Sequence, residues 1–382
     1  MTVSPLRGKS AIVGVGYFGL GRSPGLSPMD LVAGATARAL SDAGLSLKDI
    51  DGVCGGTLYH MFPTLSIAEY LGIRPRWACS DQTGGSSFLS HLLQATMAID
   101  AGLCTTVLIA YGSNLRQAGN FGILELPALD KVYGLESPLP GYAMCAARHM
   151  FEYGTTREQL AEVAVAARQW AQKHPDATMR TPLTISDVLA SPLVADPLSR
   201  LDCCLMTDGG AAIIVTDRAR ACVLRQPPVY FLGGAGATWS REVSQIHELC
   251  TSPTAESAPR AFEMAGVTTE DVDVVELYDA FTINTIMFLE DMGFCKKGEG
   301  GPFVSGGRIA PGGQLPVNTN GGGLSFAHPG MYGMFTLIEA TEQLRGAAGD
   351  RQIPDAEIAI AHGNGGTFSH EFTSILGASH TV

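Results

Sequence analysis

The chain has no run of roughly eighteen apolar residues, the length a membrane-crossing helix needs. Its start, MTVSPLRGKSAIVGVGYFG, carries no long apolar segment followed by a small-residue cleavage site. A cytoplasmic, untargeted protein with no membrane partner is therefore expected. No CxxC pair occurs among the nine cysteines, an odd number in mostly apolar surroundings. That is reduced, cytosolic usage, and it excludes a disulfide framework and a structural zinc site. HxxxH and HExxH pairs are missing among the nine histidines, so no metal is expected. A P-loop is absent, and GVGYFG over residues 14–19 comes with no evident acidic partner, so a dinucleotide site is not expected either.

Charge is scarce too. Charged residues make up 16% of the chain and apolar residues 46%, a ratio that excludes disorder. Basic residues number 25 against 37 acidic ones, a net charge of −12, so nothing draws nucleic acid or anionic membranes in general. A phosphate-bearing ligand has to be met by a local cluster. At 382 residues the chain exceeds what one core usually supports, so two core units are expected.

What is present is alternation and repetition. SAIVGVG (10–16) reads as a strand; Leu31, Val32, Ala35 and Leu40 recur at helical spacing over 28–43, and Gly44 stops the helix. Further helix and strand signals follow at about 86–101, 105–112 and up to Asp217. The alternation predicts a largely parallel α/β sheet covered on both faces. Residues 37–54 align without gaps on residues 259–276 at a constant offset of 222, with seven of eighteen positions identical, including Gly44/Gly266 and Asp49/Asp271. Each copy follows a strand candidate, the second being PPVYFLGGAGA (227–237), which favours duplication over coincidence. The predicted halves are 1–225 and 226–382, the first enlarged by an insertion at about 114–205 that overlies the site.

Four glycine-flanked polar segments stand where strands end. Asp81–Ser87, with Gly84, Gly85 and Ser86, precedes a helix, and its amides suit an oxyanion or serve as an ordinary cap. Tyr278 follows the strand signal at 275–277, at the carboxyl edge where open α/β sheets bind ligands, or else as a packed ring. NTNGGGLSFAHPGMYG (318–333) sets His328 and Tyr332 behind a dense glycine run beginning at Asn320. EIAIAH ends in His362, next to Asn364, Gly365 and Gly366. One shared site explains four such termini in two halves better than four separate turns.

With these residues in view, the sequence resembles the thiolase superfamily, in particular the sterol-carrier-protein-x thiolases and the related lipid-transfer-like steroid side-chain aldolases. The resemblance spans essentially the whole chain and rests on SPMDLVAGATARALSDAGLSLKDIDGV, AIDAGLCTTVLIAYGS, LVADPLSRLDCCLMTDGGAAIIVTD, VVELYDAFT, NTNGGGLSFAHPG and AHGNGG. It implies a five-layered αβαβα thiolase fold, a homodimer and a coenzyme A thioester as substrate, with no separate cofactor. The family's nucleophilic cysteine falls at Gly85 or Ser86, so the acyl-accepting thiol is missing and the enzyme is expected to be cysteine-less at that position. Cys79 lies too early in the helical count to replace it. The family's HP-motif histidine matches His328, its fourth-loop residue matches Tyr278, and its second cysteine matches His362.

Without a thiolate, and with no serine–histidine arrangement legible, an acyl-enzyme is disfavoured. A retro-aldol cleavage of a β-hydroxyacyl-CoA to a ketone or aldehyde and a shorter acyl-CoA is expected instead. Tyr278, Tyr332 and His362 are the candidates for proton transfer, and His328 for donation to the oxyanion. Gly85, Ser86, Asn320 and Gly365 are expected around the thioester, and Arg148, Arg180 and Arg200 near the coenzyme A phosphates. A phenol needs a cation or an imidazole beside it to act as a base near neutrality. Alternatives are a Claisen-type acetyl-CoA C-acyltransferase and a non-catalytic acyl-CoA or sterol-binding subunit. By analogy, the resemblance further implies a small partner protein of OB-fold and zinc-ribbon type.

Overall fold

The computed structural model describes residues 4–119, 128–135 and 138–382, so residues 120–127 and 136–137 of the expected insertion lie outside the described residues. The first half carries β1 (Ser10–Gly21), α1 (Pro28–Ala43), β2 (Gly52–Gly56), α2 (Pro63–Leu71), β3 (Trp77–Cys79), α3 (Ser87–Asp100) and β4 (Thr106–Ser113). The insertion follows with α4 (Leu139–Tyr153) and α5 (Arg157–Lys173), and β5 (Asp208–Asp217) closes the half. The second half runs β6 (Val229–Thr238), α6 (Thr254–Ala265), β7 (Val274–Glu276), α7 (Thr282–Met292), α8 (Gly333–Leu344), β8 (Ile358–Gly365) and β9 (His370–Gly377).

The two copies of the sequence repeat adopt the same local structure. Helices α1 and α6 end at residues 222 apart, each on a left-handed glycine, Gly44 (φ 70°) and Gly266 (φ 69°). Each is followed by a one-turn helix with a capping box, Ser46 with Asp49 and Thr268 with Asp271, and then by β2 or β7. Such boxes satisfy amides that would otherwise be orphaned, so the same local chemistry builds the same turn twice.

The strands join in one nine-stranded sheet, ordered β3-β2-β4-β5-β1-β6-β9-β8-β7. The order is mirrored about a seam between β1 and β6 that consists of two register pairs, Ala11 with Tyr230 and Ile12 with Val229. Parallel pairing is confined to β2 with β3 and β4, and β7 with β8; the other strand pairs in this sheet are antiparallel. The largely parallel sheet expected from alternation is thus corrected. Parallel neighbours need helical crossovers, which exist between β2, β3 and β4, whereas β8 returns into β9 through a short turn.

Helices α3 and α8 each touch strands of both halves and one another, while α1 and α2 cover the outer side of the first half and α6 that of the second, with α7 packed on α6 and on the insertion helices α4 and α5. This gives the five layers. All eleven residues of α7 are buried, including Glu290 and Asp291, whose charges are met by Lys297 at 3.2 Å and 2.5 Å. Among the described residues no helix is long and apolar enough to cross a membrane.

Candidate functional site

Tyr278 stands two residues beyond β7, where the strand is turned by the side chain of Asn318 accepting from the Leu277 amide at 2.6 Å. Its phenol oxygen lies 3.0 Å from Nε2 of His328 and 3.3 Å from the Gly330 carbonyl, so its one proton can be given to either. The rings of Tyr278 and His328 meet edge-on at 5.4 Å, and the Tyr332 ring stacks parallel to that of His328 at 6.2 Å. Tyr332 donates to Asn320 Oδ1 at 2.9 Å, so Tyr278, His328, Tyr332 and Asn320 form one contiguous group. Fifty residues of sequence between the phenol and the imidazole are closed by the fold.

Gly85 completes this group by what it omits. A Cβ at position 85 would overlap the Tyr278 ring at Cε2, so the ring fills the volume into which a side chain there would project. Its neighbour Gly84 adopts φ 77° and backs onto Gly365, whose Cα would lie 2.7 Å from a Cβ at 84. The turn 84–86 and the end of β8 are therefore in backbone contact, as the sequence grouping required.

Burial dominates the electrostatics. It pushes the phenols of Tyr278 and Tyr332 well above their usual value and pulls His328 down to about 4. The imidazole partner expected for Tyr278 is in place, but the lowered phenol pKa is not: desolvation by burial outweighs it. Near neutrality the pair is a neutral phenol hydrogen-bonded to a neutral imidazole, able to pass a proton along without either group being charged beforehand.

Three placements depart from the sequence reading. His362 is not at a strand end, because β8 continues to Gly365; its imidazole is buried between Thr254 Oγ1 (3.1 Å), Thr373 Oγ1 (3.0 Å) and Glu371 (3.2 Å) and is pulled down to about 3 by burial. No hydrogen bond or ring contact joins it to Tyr278, His328 or Tyr332 among the described residues, so the structure does not bring it into the group. Ser86 does have a histidine: His370 Nδ1 lies 2.8 Å from its Oγ, a pairing across 284 positions that no local signal announces. The hydroxyl proton, however, goes to the Thr83 carbonyl at 2.8 Å and the side chain is fully buried, which is the chemistry of an anchor and not of a nucleophile. Nor is the region free of sulfur. The Cys204 amide donates to Ala280 O at 2.8 Å, but burial pushes this thiol far up, holding it protonated.

The arginines do not converge. Arg148 pairs with Glu152 on the exposed side of α4. Arg180 follows Met179, whose amide donates to Ser325 O at 3.0 Å behind the glycine run, and Arg200 is exposed three residues before Cys203, which bridges to Phe281.

Sequence reasoning missed Asp279. Its buried carboxylate accepts from the amides of Gly323 (2.5 Å) and Leu324 (3.4 Å), and only glycine fits at 322, where φ is 64° and a Cβ would overlap the carboxylate. It thereby fixes the π-helical turn Gly322–Phe326 that delivers His328. The signal available was a second acid beside Tyr278, three residues after Glu276, in a short strand-to-helix connection. Burial raises Asp279 to about 7 against these amide bonds. A carboxyl raised on folding binds its proton more tightly in the native state, so its contribution is complete below about pH 4 and is lost as pH rises through 7. Asp279→Asn is expected to remove this component. Denaturant titrations from pH 4 to 8 should show the wild type losing stability relative to the variant as pH rises; parallel profiles would refute the assignment.

The chain is similar to known proteins over nearly its whole length. A family profile described as thiolase C-terminal domain-like matches residues 235–378. An acetyl-CoA acetyltransferase of Methanothermobacter thermautotrophicus is 34% identical over 94% of this chain and 96% of its own length. A 17-hydroxy-3-oxo-4-pregnene-20-carboxyl-CoA lyase of Mycobacterium tuberculosis is 33% identical over 94% of this chain and 97% of its own. Among solved structures, the Ltp2-ChsH2(DUF35) aldolase superposes with a TM-score of 0.90 at 30% identity, covering 98% of this chain and 99% of that one.

Proposed function

Since this chain belongs to the thiolase superfamily, and is an enzyme of its sterol-carrier-protein-x-like branch, we propose that it cleaves the Cα–Cβ bond of a β-hydroxyacyl-CoA by retro-aldol chemistry. One observation carries the reading: the Tyr278 ring fills the space above Gly85, and its hydroxyl meets His328 Nε2 at 3.0 Å. With a phenol where a thiol would project, the substrate is handled untethered.

The β-hydroxyl proton passes to the Tyr278 oxygen while the phenol proton passes to His328 Nε2. The Cα–Cβ electron pair moves onto the thioester as an enolate, and the β-carbon leaves as a ketone or aldehyde. The resulting imidazolium stands beside the enolate, and a proton delivered to Cα from His328, or from Tyr332 with the imidazolium restoring it, completes the shorter acyl-CoA. One proton leaves oxygen and one arrives at carbon, so the step balances without an oxidant. Relay through a neutral pair suits a site where burial disfavours a preformed tyrosinate.

The 34% identity to an acetyl-CoA acetyltransferase favours a second reading, a Claisen-type acyl transfer. The reading of a non-catalytic binding subunit has no observation of its own. For the coenzyme A phosphates, Arg180 and Arg200 are the arginines whose segments touch the glycine run and the Phe281 loop, while Arg148 is spent on Glu152. The homodimer is assigned to the free outer edge of β3, beside the exposed Met61, Phe62, Leu65 and Tyr70; an apolar patch on an open strand edge invites pairing with a second copy. A small OB-fold and zinc-ribbon partner is supported by the similarity to an aldolase named for two components, Ltp2 and ChsH2(DUF35).

The test is to incubate the purified chain, its mass fixed by sedimentation, with branched β-hydroxyacyl-CoA compounds, with and without such a small partner. Ketone and shortened acyl-CoA in equal amounts are expected from a dimer. Acetyl transfer from acetyl-CoA with no cleavage of any hydroxy compound would overturn the reaction, and a one-chain mass would overturn the dimer.

A further inference from the structure

Tyr278 has two acceptors within reach of its single proton, His328 Nε2 at 3.0 Å and the Gly330 carbonyl at 3.3 Å. Only the first belongs to the relay. A peptide carbonyl accepts a hydrogen bond but is far too weak a base to take the proton, so a phenol aimed at Gly330 stops the sequence at its first step. Two acceptors this similar in distance are told apart only if the backbone on either side of residue 278 is held.

Asn318 holds it on both sides. This residue is 3% exposed, and it reaches the Tyr278 segment three times. Its backbone amide donates to the Val275 carbonyl at 3.0 Å, its Oδ1 accepts from the Leu277 amide at 2.6 Å, and its side chain hydrogen-bonds the carboxylate of Asp279. With Oδ1 committed to an N–H, the atom that faces Asp279 is Nδ2, so the partners settle how the amide is turned. One side chain thus bonds both neighbours of Tyr278. The reach needs a left-handed backbone, φ 52° at Asn318, which asparagine tolerates better than most side chains.

Asp279 carries the hold to the other member of the pair. It accepts from the Gly323 and Leu324 amides in the turn that delivers His328, so a phenol and an imidazole 50 positions apart are both referred to one amide side chain.

We propose that Asn318 is the positioning residue of the relay, aiming the Tyr278 hydroxyl at His328 Nε2 and away from the Gly330 carbonyl by bonding the chain before and after it. The consequence for catalysis rests on the retro-aldol reading; the aim of the hydroxyl does not. Asn318 acts through Tyr278 and His328 and has no reacting atom to touch, so its loss lowers kcat and spares KM. A misplacement of about 1 Å at reacting groups costs about 10²-fold.

The test exchanges the two partners. Asn318→Gly keeps the left-handed backbone and removes both side-chain bonds. Asp279→Asn keeps the shape but sets an amide against an amide: whichever way it turns, one donor faces another. Each is expected to lower kcat for β-hydroxyacyl-CoA cleavage by about 10²-fold with KM within about threefold. The exchange variant Asn318→Asp/Asp279→Asn again pairs a carboxylate with an amide, keeps the acceptors for the Leu277 and Gly323 amides, and is expected to return kcat to within about fivefold of wild type, as coupled neighbours do. Asp279→Asn added to Asn318→Gly should restore nothing. A second readout needs no turnover. In protein labelled with ¹⁵N-histidine, the His328 Nε2 resonance, assigned by its loss in His328→Ala, should move in Asn318→Gly to the position it takes in Tyr278→Phe and return in the exchange variant. Wild-type kcat and resonance in Asn318→Gly would overturn the proposal. So would an exchange variant that melts like the wild type yet recovers neither. If the wild type cleaves no hydroxyacyl-CoA, the reaction fails, and the resonance alone decides the role of Asn318.

Discussion

Tyr278→Phe is expected to lower kcat for cleavage of a β-hydroxyacyl-CoA by about 10³-fold, within the range typical of losing a positioned proton-transfer group. The substitution is unusually clean here. Phenylalanine keeps the ring that fills the space above Gly85 and the edge contacts to His328 (5.4 Å) and Tyr332 (5.8 Å). Only the hydroxyl goes, and with it the 3.0 Å bond to Nε2, so the relay loses its first member while the packing remains. Thermal stability should change little, apart from the cost of an unpaired buried imidazole nitrogen, about 1–3 kcal/mol. His328→Ala should match the rate loss, and the double variant should be no worse than either alone, because two members of one relay fail together. A rate for Tyr278→Phe within threefold of wild type would remove the phenol from the chemistry.

The second large effect is expected from putting sulfur back. Gly85 is not among the positive-φ positions, so its backbone accepts a cysteine; what forbids one is the Tyr278 ring. Gly85→Cys alone should therefore be overpacked, destabilised by about 1–3 kcal/mol, and inactive in cleavage because the ring is displaced from His328. Pairing it with Tyr278→Ala opens the volume. A thiol there sits at the N-terminus of α3, where the helix end favours the thiolate. Incubation with acyl-CoA should then yield an acylated chain by intact mass spectrometry, with no cleavage of hydroxyacyl-CoA. If Gly85→Cys folds as stably as wild type and retains cleavage, the ring and the residue 85 side chain do not compete for one space.

Together these experiments treat positions 85 and 278 as one choice made in two parts of the chain. A thiol with room before it acts by attachment; a phenol lying over a glycine acts by proton transfer.

The sequence alone determined whatever is encoded over a turn or two. The αL glycines at 44 and 266, the capping boxes after them and the apolar stripe of α1 are local devices, so the duplication at offset 222 was legible and the fold reproduces it at both copies. Tyr278 and His328 were legible for a related reason: polar side chains at a strand end or behind a glycine run have few structural uses. Packing between distant segments decided the rest. Whether His362 faced the site depended on how far β8 ran, and three more residues of strand turned it instead toward Thr254 and Thr373. Asp279 gains its place from amides 44 and 45 positions away, Ser86 its partner 284 away, and Asn364 its orientation from a tyrosine 222 residues earlier. Hydrophobic period and capping chemistry repeat within a few residues and can be read along the chain, whereas the burial that sets a phenol's pKa exists only once the layers close.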